Sequence, residues 1–298
     1  MNMRFAFFFI PFILVLFIRC EKEYRAATNE LTDGFCIQIN DDHFINHNDI
    51  EYYDFSTHIV YLKSSDTSIN KPEERISFTV YADFELIYQG AALPLYSCAM
   101  IAGPTINYFY PDFVISIGNN VMLDPTVIEP PDPREDGRII TALSKYNQLH
   151  PGLKVMIDSI MPAQTGLRIK ISVTNEDSFD YYILSPDNMG MDLFHYFTNG
   201  LFITDDNRHE FYRHHIETLQ PDPYDSWNKE WFYLLRSKEK KTFTLLYNQF
   251  DIIPKGQYIA YFRFPGLRYQ VKNKEDLADE YGRIWLGEVD VNKSVSFN

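Results

Sequence analysis

The sequence has few cysteines and a deficit of basic residues. Only three cysteines occur in 298 residues, too few to establish a disulfide framework. Lysine and arginine total 27 against 41 aspartate and glutamate residues, which gives a formal net charge of -14. Because phosphate contacts depend on Lys and Arg, this acidity predicts no nucleic-acid partner. It also argues against a protein that docks flat onto anionic lipid.

Several signatures of catalysis and metal binding are missing. The chain contains no Gly-rich phosphate loop, no Walker motif and no G-x-S-x-G nucleophile elbow. The stretch RHEFYRHH (208–215) does not match H-E-x-x-H, because His209 and His214 are five residues apart. On a helix of 3.6 residues per turn they would lie about 140° apart. We therefore predict solvated loop histidines here rather than a metal site, and no cofactor.

Two other stretches bear on catalysis. DFSTH (54–58) combines Asp, Ser and His, but a Ser-His-Asp triad is defined by geometry and not by proximity in sequence. A polar cluster on a strand face is the favoured interpretation. Cys98 lies in LYSCAM without a local base motif, so a cysteine hydrolase is unsupported. The sequence predicts a protein that is not an enzyme.

One apolar run stands out, from Phe5 to Ile18. As a helix it would be about 21 Å long, whereas a bilayer core of ~30 Å requires roughly 20 apolar residues. Pro11 interrupts the run, and Arg4 precedes it. These features are typical of a signal peptide, which we assign to residues 1–19; a tilted membrane anchor is the alternative.

The end of this run resembles a bacterial lipoprotein signal, with Cys20 at the boundary. The resemblance implies that Cys20 becomes the N-terminus and that its sulfur carries a diacylglycerol. Arg19 departs from the family pattern, which has a small residue before the cysteine. The acidic and lysine residues at 21–23 resemble those of Bacteroidetes-type surface lipoproteins, which implies the outer membrane and the cell surface. The alternative is an ordinary thiol beyond an uncleaved anchor.

The mature chain divides into two β-rich modules. Residues 20–33 are polar and are predicted to be a tether. From 34 to 123, stretches such as FCIQIN and ISFTVYA alternate apolar and polar residues, which predicts strands. Residues 124–152 begin with four prolines and five acidic residues within 124–137. That composition indicates an extended linker, followed by one helix at about 138–149.

The second module, 153–298, contains seven or more short alternating strands, which suggests a β-sandwich. LRIKISVTNEDSFDYYILS, EKKTFTLLYN and IPKGQYIAYFRF resemble the immunoglobulin-like domains of the intracellular proteinase inhibitor family. In that family one strand ends in Asn, here Asn175. A late P-x-G-x-Y element opens the final hairpin, and Pro254, Gly256 and Tyr258 match it. The segment from 187 to 236 is longer than the family's own connection, so the resemblance implies the sandwich geometry more than inhibitory activity.

The resemblance to surface lipoproteins extends beyond the N-terminal signal and contributes to the overall prediction. YYDFSTHIVYLK and ALSKYNQLHPGLKVMIDSI resemble Bacteroidetes-type surface lipoproteins, which implies location rather than activity. We predict a mostly β protein with two β-rich modules, the second an immunoglobulin-like β-sandwich, and one helix at the junction. Its predicted role is non-catalytic binding or structure at the membrane, through the lipid anchor. A protease-inhibitor-like module and a hydrolase with a dispersed active site are the alternatives.

The candidate binding residues lie in the long segment from 187 to 236. Tyr224, Trp227 and Trp231 are large aromatic residues that could form a recognition surface for a protein or a glycan. Burial of the tryptophans as anchors of the sandwich is the alternative. Outside the cytoplasm Cys36 and Cys98 could form a disulfide, and two separate buried thiols are equally compatible with the sequence.

Overall fold

The computed structural model describes residues 30–40, 43–64, 72–94, 96–97, 101–120, 131–164, 166–198, 200–205 and 210–298. The predicted signal peptide, Cys20 and Cys98 lie outside these ranges. Strands dominate the described chain, which confirms the prediction of a mostly β protein. Within the same ranges, every helix is too short or too polar to cross a bilayer.

The first part of the chain forms one nine-stranded sheet in the order β2-β1-β5-β6-β7-β8-β4-β3-β9. Neighbouring strands are antiparallel except for the pairs β6–β7 and β3–β9. The strands are β1 (Phe35–Ile39), β2 (His43–Ile45), β3 (Ile50–Asp54), β4 (Ile59–Leu62), β5 (Ile76–Ala82), β6 (Glu85–Ala92), β7 (Gly103–Asn107), β8 (Val114–Asn120) and β9 (Leu149–His150).

The predicted junction helix is present as α1 (Gly137–Lys145), and it packs against one face of this sheet. Ile139, Ala142 and Leu143 form its buried stripe, at the spacing expected of an amphipathic helix. The Asp136 side chain caps the N-terminus by accepting from the Arg138 backbone N–H at 2.9 Å. The helix ends before the predicted residue 149, because the chain turns and then joins the sheet as β9.

The second part of the chain forms three smaller sheets, ordered β10-β11-β16, β15-β12-β18 and β14-β13-β17-β19. Their inward-facing side chains belong to a single hydrophobic cluster. The immunoglobulin-like identity of this arrangement stays a prediction. The strands are β10 (Leu153–Ala163), β11 (Gly166–Asn175), β12 (Tyr181–Leu184), β13 (Leu201–Asp205), β14 (Phe211–Arg213), β15 (Phe232–Leu235), β16 (Lys240–Tyr247), β17 (Gly256–Phe264), β18 (Arg283–Ile284) and β19 (Val289–Phe297).

The segment from 187 to 236 contains more regular structure than the sequence predicted. Two short helices, α2 (Pro186–Met189) and α3 (Met191–Phe197), lie at its start. The strands β13 and β14 also lie within it and pair antiparallel. Neither helix is long enough to produce an apolar period that stands out in the sequence.

The two parts of the chain meet at the turn between β3 and β4. Asp54 at the start of this turn is completely buried, and its Oδ2 accepts from Trp285 Nε1 at 3.0 Å. Gly152 has a φ of +71°, and a Cβ added there would lie 2.1 Å from Asp54 Oδ1. Across the same junction Glu51 pairs with Lys274 and Arg283, each at 2.7 Å. The predicted module boundaries remain predictions. The two parts of the chain contact each other through apolar packing, a buried hydrogen bond and ion pairs.

Candidate binding cleft at the module junction

The face of the nine-stranded sheet that meets the second part of the chain changes from apolar to polar across the sheet. Directly paired residues of neighbouring strands point to the same side, so Ile59 and its partner Ser116 share this face. Ile59 belongs to the core shared with the second part. Farther along, Asn107 pairs with Ser116, and Thr105 pairs with Gly118. The polar half of the face is therefore left to line a cavity.

This cavity, which we call the junction cleft, has a volume of about 660 Å³. That volume falls in the range of about 300–1,000 Å³ typical of small-molecule sites. Its lining comes from β7, β8 and the β3–β4 turn in the first part of the chain, and from β17 and the start of β19 in the second part. The described polar and charged lining residues are Ser56, Thr57, His58, Ser97, Thr105, Asn107, Ser116, Asn119, Asn120, Asp132, Arg134, Glu135, Arg263, Glu288 and Asp290.

Both arginines of the junction cleft are neutralised by carboxylates of the protein itself. Arg134 binds Asp132 through Nε at 3.0 Å and through Nη2 at 2.6 Å, and its Nη1 donates to the Ile117 carbonyl at 2.6 Å. Although burial opposes the effect, these hydrogen bonds from Arg134 lower the pKa of Asp132.

Arg263 forms the same kind of bidentate pair with Asp290, at 2.7 and 2.8 Å, and it also pairs with Glu288 at 3.2 Å. An anionic ligand would have to compete with these internal pairs. The charge arrangement favours a neutral ligand.

His58 is a neutral imidazole in the wall of the cleft. Its side chain is almost completely buried, and its Nδ1 lies 3.0 Å from the Tyr53 hydroxyl. Burial, and then the charge of Arg134, lower the pKa of His58 to about 3. When the Tyr53 phenol donates to Nδ1, the remaining ring nitrogen of His58 carries the proton. A neutral N–H of this kind can donate to a hydroxyl or carbonyl oxygen.

Three consecutive aromatic residues, 108–110, border the cleft. The Phe109 ring is 55% exposed, and its backbone N–H donates to Asn107 Oδ1 at 2.9 Å, which holds the turn after β7. Tyr110 is buried, and burial raises its pKa to about 12. The Tyr108 hydroxyl is buried without a hydrogen-bond partner among the described residues. A buried hydroxyl in this state requires a partner from water or from a ligand.

The DFSTH stretch forms the β3–β4 turn and contributes to the cleft, but it does not form a triad. Ser56 Oγ donates to Asp54 Oδ1 at 2.6 Å and accepts from the Leu153 N–H at 3.1 Å. His58 is directed to Tyr53 instead. The predicted strand face is wrong, because residues 55–58 form a turn. The serine hydroxyl is hydrogen-bonded to structural partners rather than to an imidazole.

The three aromatic residues that the sequence predicts as a binding surface differ in burial. Trp227 and Trp231 are half-buried and pack against the core, on Phe232 and Phe197 respectively. Tyr224 is 57% exposed and contacts Tyr269. Contacts through Tyr269, Tyr196 and Phe197 link Tyr224 to Trp231, whereas Trp227 contacts Phe232. The role of the three residues in binding stays a prediction.

The cysteine and histidine predictions fall partly outside the described residues. Cys36 is buried within β1 and forms no disulfide with another described residue, and burial raises the pKa of its thiol to about 12. Its predicted partner Cys98 and also His209 are outside the described ranges, so the disulfide stays a prediction. His215 is exposed and lies 2.7 Å from Asp251. Within the described ranges, no three His, Cys, Asp or Glu side chains converge as metal ligands would.

Comparison with known proteins does not extend these observations. The chain matches no family model, and neither curated proteins nor solved structures give a significant match.

Proposed function

We propose that this chain is a lipid-anchored protein of the cell envelope that binds a neutral, hydroxyl-rich ligand, a glycan, in the junction cleft without catalysis. The observation that carries the proposal is the composition of the cleft wall. Amide and hydroxyl side chains line it, an exposed aromatic ring borders it, and its arginines are already paired within the protein.

Each of these groups suits a sugar. Amides and hydroxyls both donate and accept hydrogen bonds, as sugar hydroxyls do. The apolar C–H face of a pyranose ring can pack against an aromatic face such as that of Phe109, which is 55% exposed. The neutral His58 ring supplies a further hydrogen-bonding group. A phosphorylated or otherwise anionic ligand would need free cations, whereas the two arginines are engaged.

Filling the cleft should abolish binding without unfolding the protein. A Cβ added at Gly118 would lie 3.4 Å from Thr105 Oγ1, an ordinary contact, on the face that lines the cleft. We therefore expect Gly118→Leu to weaken binding of neutral oligosaccharides at least about tenfold, because the new side chain occupies ligand volume. Isothermal titration calorimetry against maltose, cellobiose and mannobiose would measure the effect.

The matched control is Gly137→Leu. Gly137 is exposed at the start of α1, and an added Cβ there would have no neighbour within 4 Å. This variant should bind as the wild type does. Both variants should keep the wild-type melting temperature within a few degrees. Equal affinity of Gly118→Leu and wild type for the bound disaccharide would contradict the proposed site.

The membrane anchor is proposed from the sequence alone. If the sulfur of Cys20 carries a diacylglycerol, Cys20→Ala should abolish incorporation of labelled palmitate and release the protein from the membrane fraction, since single-point attachment of several acyl chains is what stabilises anchoring. Arg19→Gly should retain labelling, because it restores the small residue usual at that position. Equal labelling of wild type and Cys20→Ala in whole cells would exclude lipidation at this residue.

A further inference from the structure

We propose that the ligand is a linear glycan chain that leaves the junction cleft over the Arg263–Asp290 pair and continues along an aromatic groove on the outer face of the sheet β14-β13-β17-β19. The inference rests on the proposed function, and it extends that function from a single sugar unit to a polymer.

The aromatic groove follows from the alternation of side chains along two paired strands. In β13, Leu201 and Ile203 face the core, which places Phe202 on the outer face. In β17, Ala260 and Phe262 face the core, which places Tyr261 on the same outer face. Phe202 and Tyr261 are direct register partners. Their rings stack with centroids 5.0 Å apart and planes within 8° of parallel.

The groove has a volume of about 410 Å³ and combines apolar rings with polar side chains. Phe211 extends the aromatic surface on β14; its ring is 59% exposed and lies 6.5 Å from that of Phe202. Asn292 of β19 is the register partner of Tyr261, and it is exposed. An aromatic ring can pack against the C–H face of a pyranose, and an amide or an ion pair can hydrogen-bond to its hydroxyl edge. The groove provides both kinds of group.

The groove and the junction cleft are neighbours on one continuous surface. Arg263 and Asp290 line both of them, as their common border. Arg263 follows Tyr261 by two residues on the same face of β17, a separation of about 7 Å along a strand. A chain that is held in the cleft can therefore reach the Phe202–Tyr261 pair by crossing a single ion pair.

The mixed aromatic and polar lining of the groove favours a chain-like glycan over a protein partner. A stable protein interface buries about 800 Å² on each side and is commonly centred on a compact apolar patch. Here the rings share the groove with the polar side chains of Arg263, Asp290 and Asn292. A polyanionic chain is also disfavoured, because Arg263 is held by two carboxylates and the protein has a net charge of -14.

The test is the length dependence of binding by the full-length chain. Titrations would compare maltose with maltohexaose, cellobiose with cellohexaose, and mannobiose with mannohexaose. We expect the hexasaccharide of the recognised linkage to bind roughly tenfold more tightly than its disaccharide, from the added stacking on the groove. Tyr261→Ala should remove this gain and leave disaccharide affinity within about twofold of the wild type. Phe202→Ala, on the neighbouring strand, should have the same effect.

The control is Tyr281→Ala, which removes a 56% exposed tyrosine that lines neither the cleft nor the groove. It should retain the length dependence, and thermal melting would verify that all variants are folded. If the disaccharide and the hexasaccharide bind with equal affinity, and Gly118→Leu abolishes the binding of both, the proposed role of the groove is wrong and that of the cleft is retained. Hexasaccharide binding that is lost in Tyr261→Ala but unchanged in Gly118→Leu would overturn the cleft instead. Absence of binding by all three hexasaccharides would overturn both.

Discussion

Replacing Trp285 with alanine should lower the free energy of unfolding by roughly 5 kcal/mol, since truncation of a buried tryptophan costs about 3–5 kcal/mol and an unsatisfied buried partner about 1–3 more. Trp285 is 1% exposed and packs on Phe264, with ring centroids 6.0 Å apart. Its indole N–H is the donor that reaches across the junction to Asp54. Alanine would leave both a cavity in the shared core and a buried carboxylate oxygen without this partner.

Two further variants separate these contributions. Trp285→Phe retains most of the apolar volume but loses the donor, so its destabilisation should be intermediate, at roughly 2 kcal/mol. Trp231→Ala removes a tryptophan that is only half-buried, and it should cost less than Trp285→Ala. Urea unfolding followed by far-UV circular dichroism would measure all three. A loss below about 1 kcal/mol in Trp285→Ala would contradict the structural role given to the junction.

The junction also shows why independent folding of the second part is not expected from the structure. Tyr52, Ile59 and Tyr61 of the first sheet belong to the same hydrophobic cluster as the core of the second part. A fragment that begins at residue 153 would expose the apolar surface that these side chains cover. The proline-rich stretch 124–137 suggested a boundary between separate modules, but linker composition does not report whether the modules on either side are packed together.

Strand formation was predictable because alternation is a local property. ISFTVYA, GQYIAYFRF and KKTFTLLYN alternate in sequence, and they form β5, β17 and β16. The apolar stripe of the junction helix was predictable for the same reason, and Ile139 and Leu143 are buried as expected. The end of that helix was not predictable from the stripe, because Leu149 continues the helical spacing while lying in β9.

The junction cleft could not be predicted from the sequence, since its two walls lie far apart along the chain. Ser116 and Asp290 belong to different sheets, and nothing in VISIG or EVDVN records that the two segments face each other. Alternation predicts which side chains share a face, but not which half of that face stays uncovered. The tryptophans near 227 were attractive in sequence because aromatic residues are conspicuous there, yet the outward rings of Phe202 and Tyr261 lie within ordinary strand patterns.

Acidification should destabilise the protein through His195, by up to about 3 kcal/mol between pH 6.5 and pH 4. His195 of α3 is 2% exposed, and neither ring nitrogen has a hydrogen-bond partner among the described residues. Its ring stacks on that of His214, with centroids 4.6 Å apart, and lies 5.0 Å from that of Tyr247. Burial, followed by the charge that His214 would carry, lowers the pKa of His195 to about 4 from its ordinary 6.5.

The direction of the pH dependence follows from proton binding. Above pH 6.5 the imidazole is neutral in both the folded and the unfolded chain, so its titration does not change the free energy of unfolding. As the pH falls from 6.5 to about 4, the unfolded chain binds a proton that the folded chain does not, and the free energy of unfolding decreases. Tyr247 does not change charge in this range, because burial raises its pKa.

The measurement is urea unfolding at several pH values between 7 and 4, for the wild type and for His195→Leu. Leucine is apolar and similar in size, so it removes the titration while filling the site. The variant should lose stability less steeply than the wild type over this range. Parallel pH profiles for wild type and His195→Leu would show that the buried imidazole is not the source of acid sensitivity. The His195 ring would then have to lie in a more hydrated environment than its 2% exposure indicates.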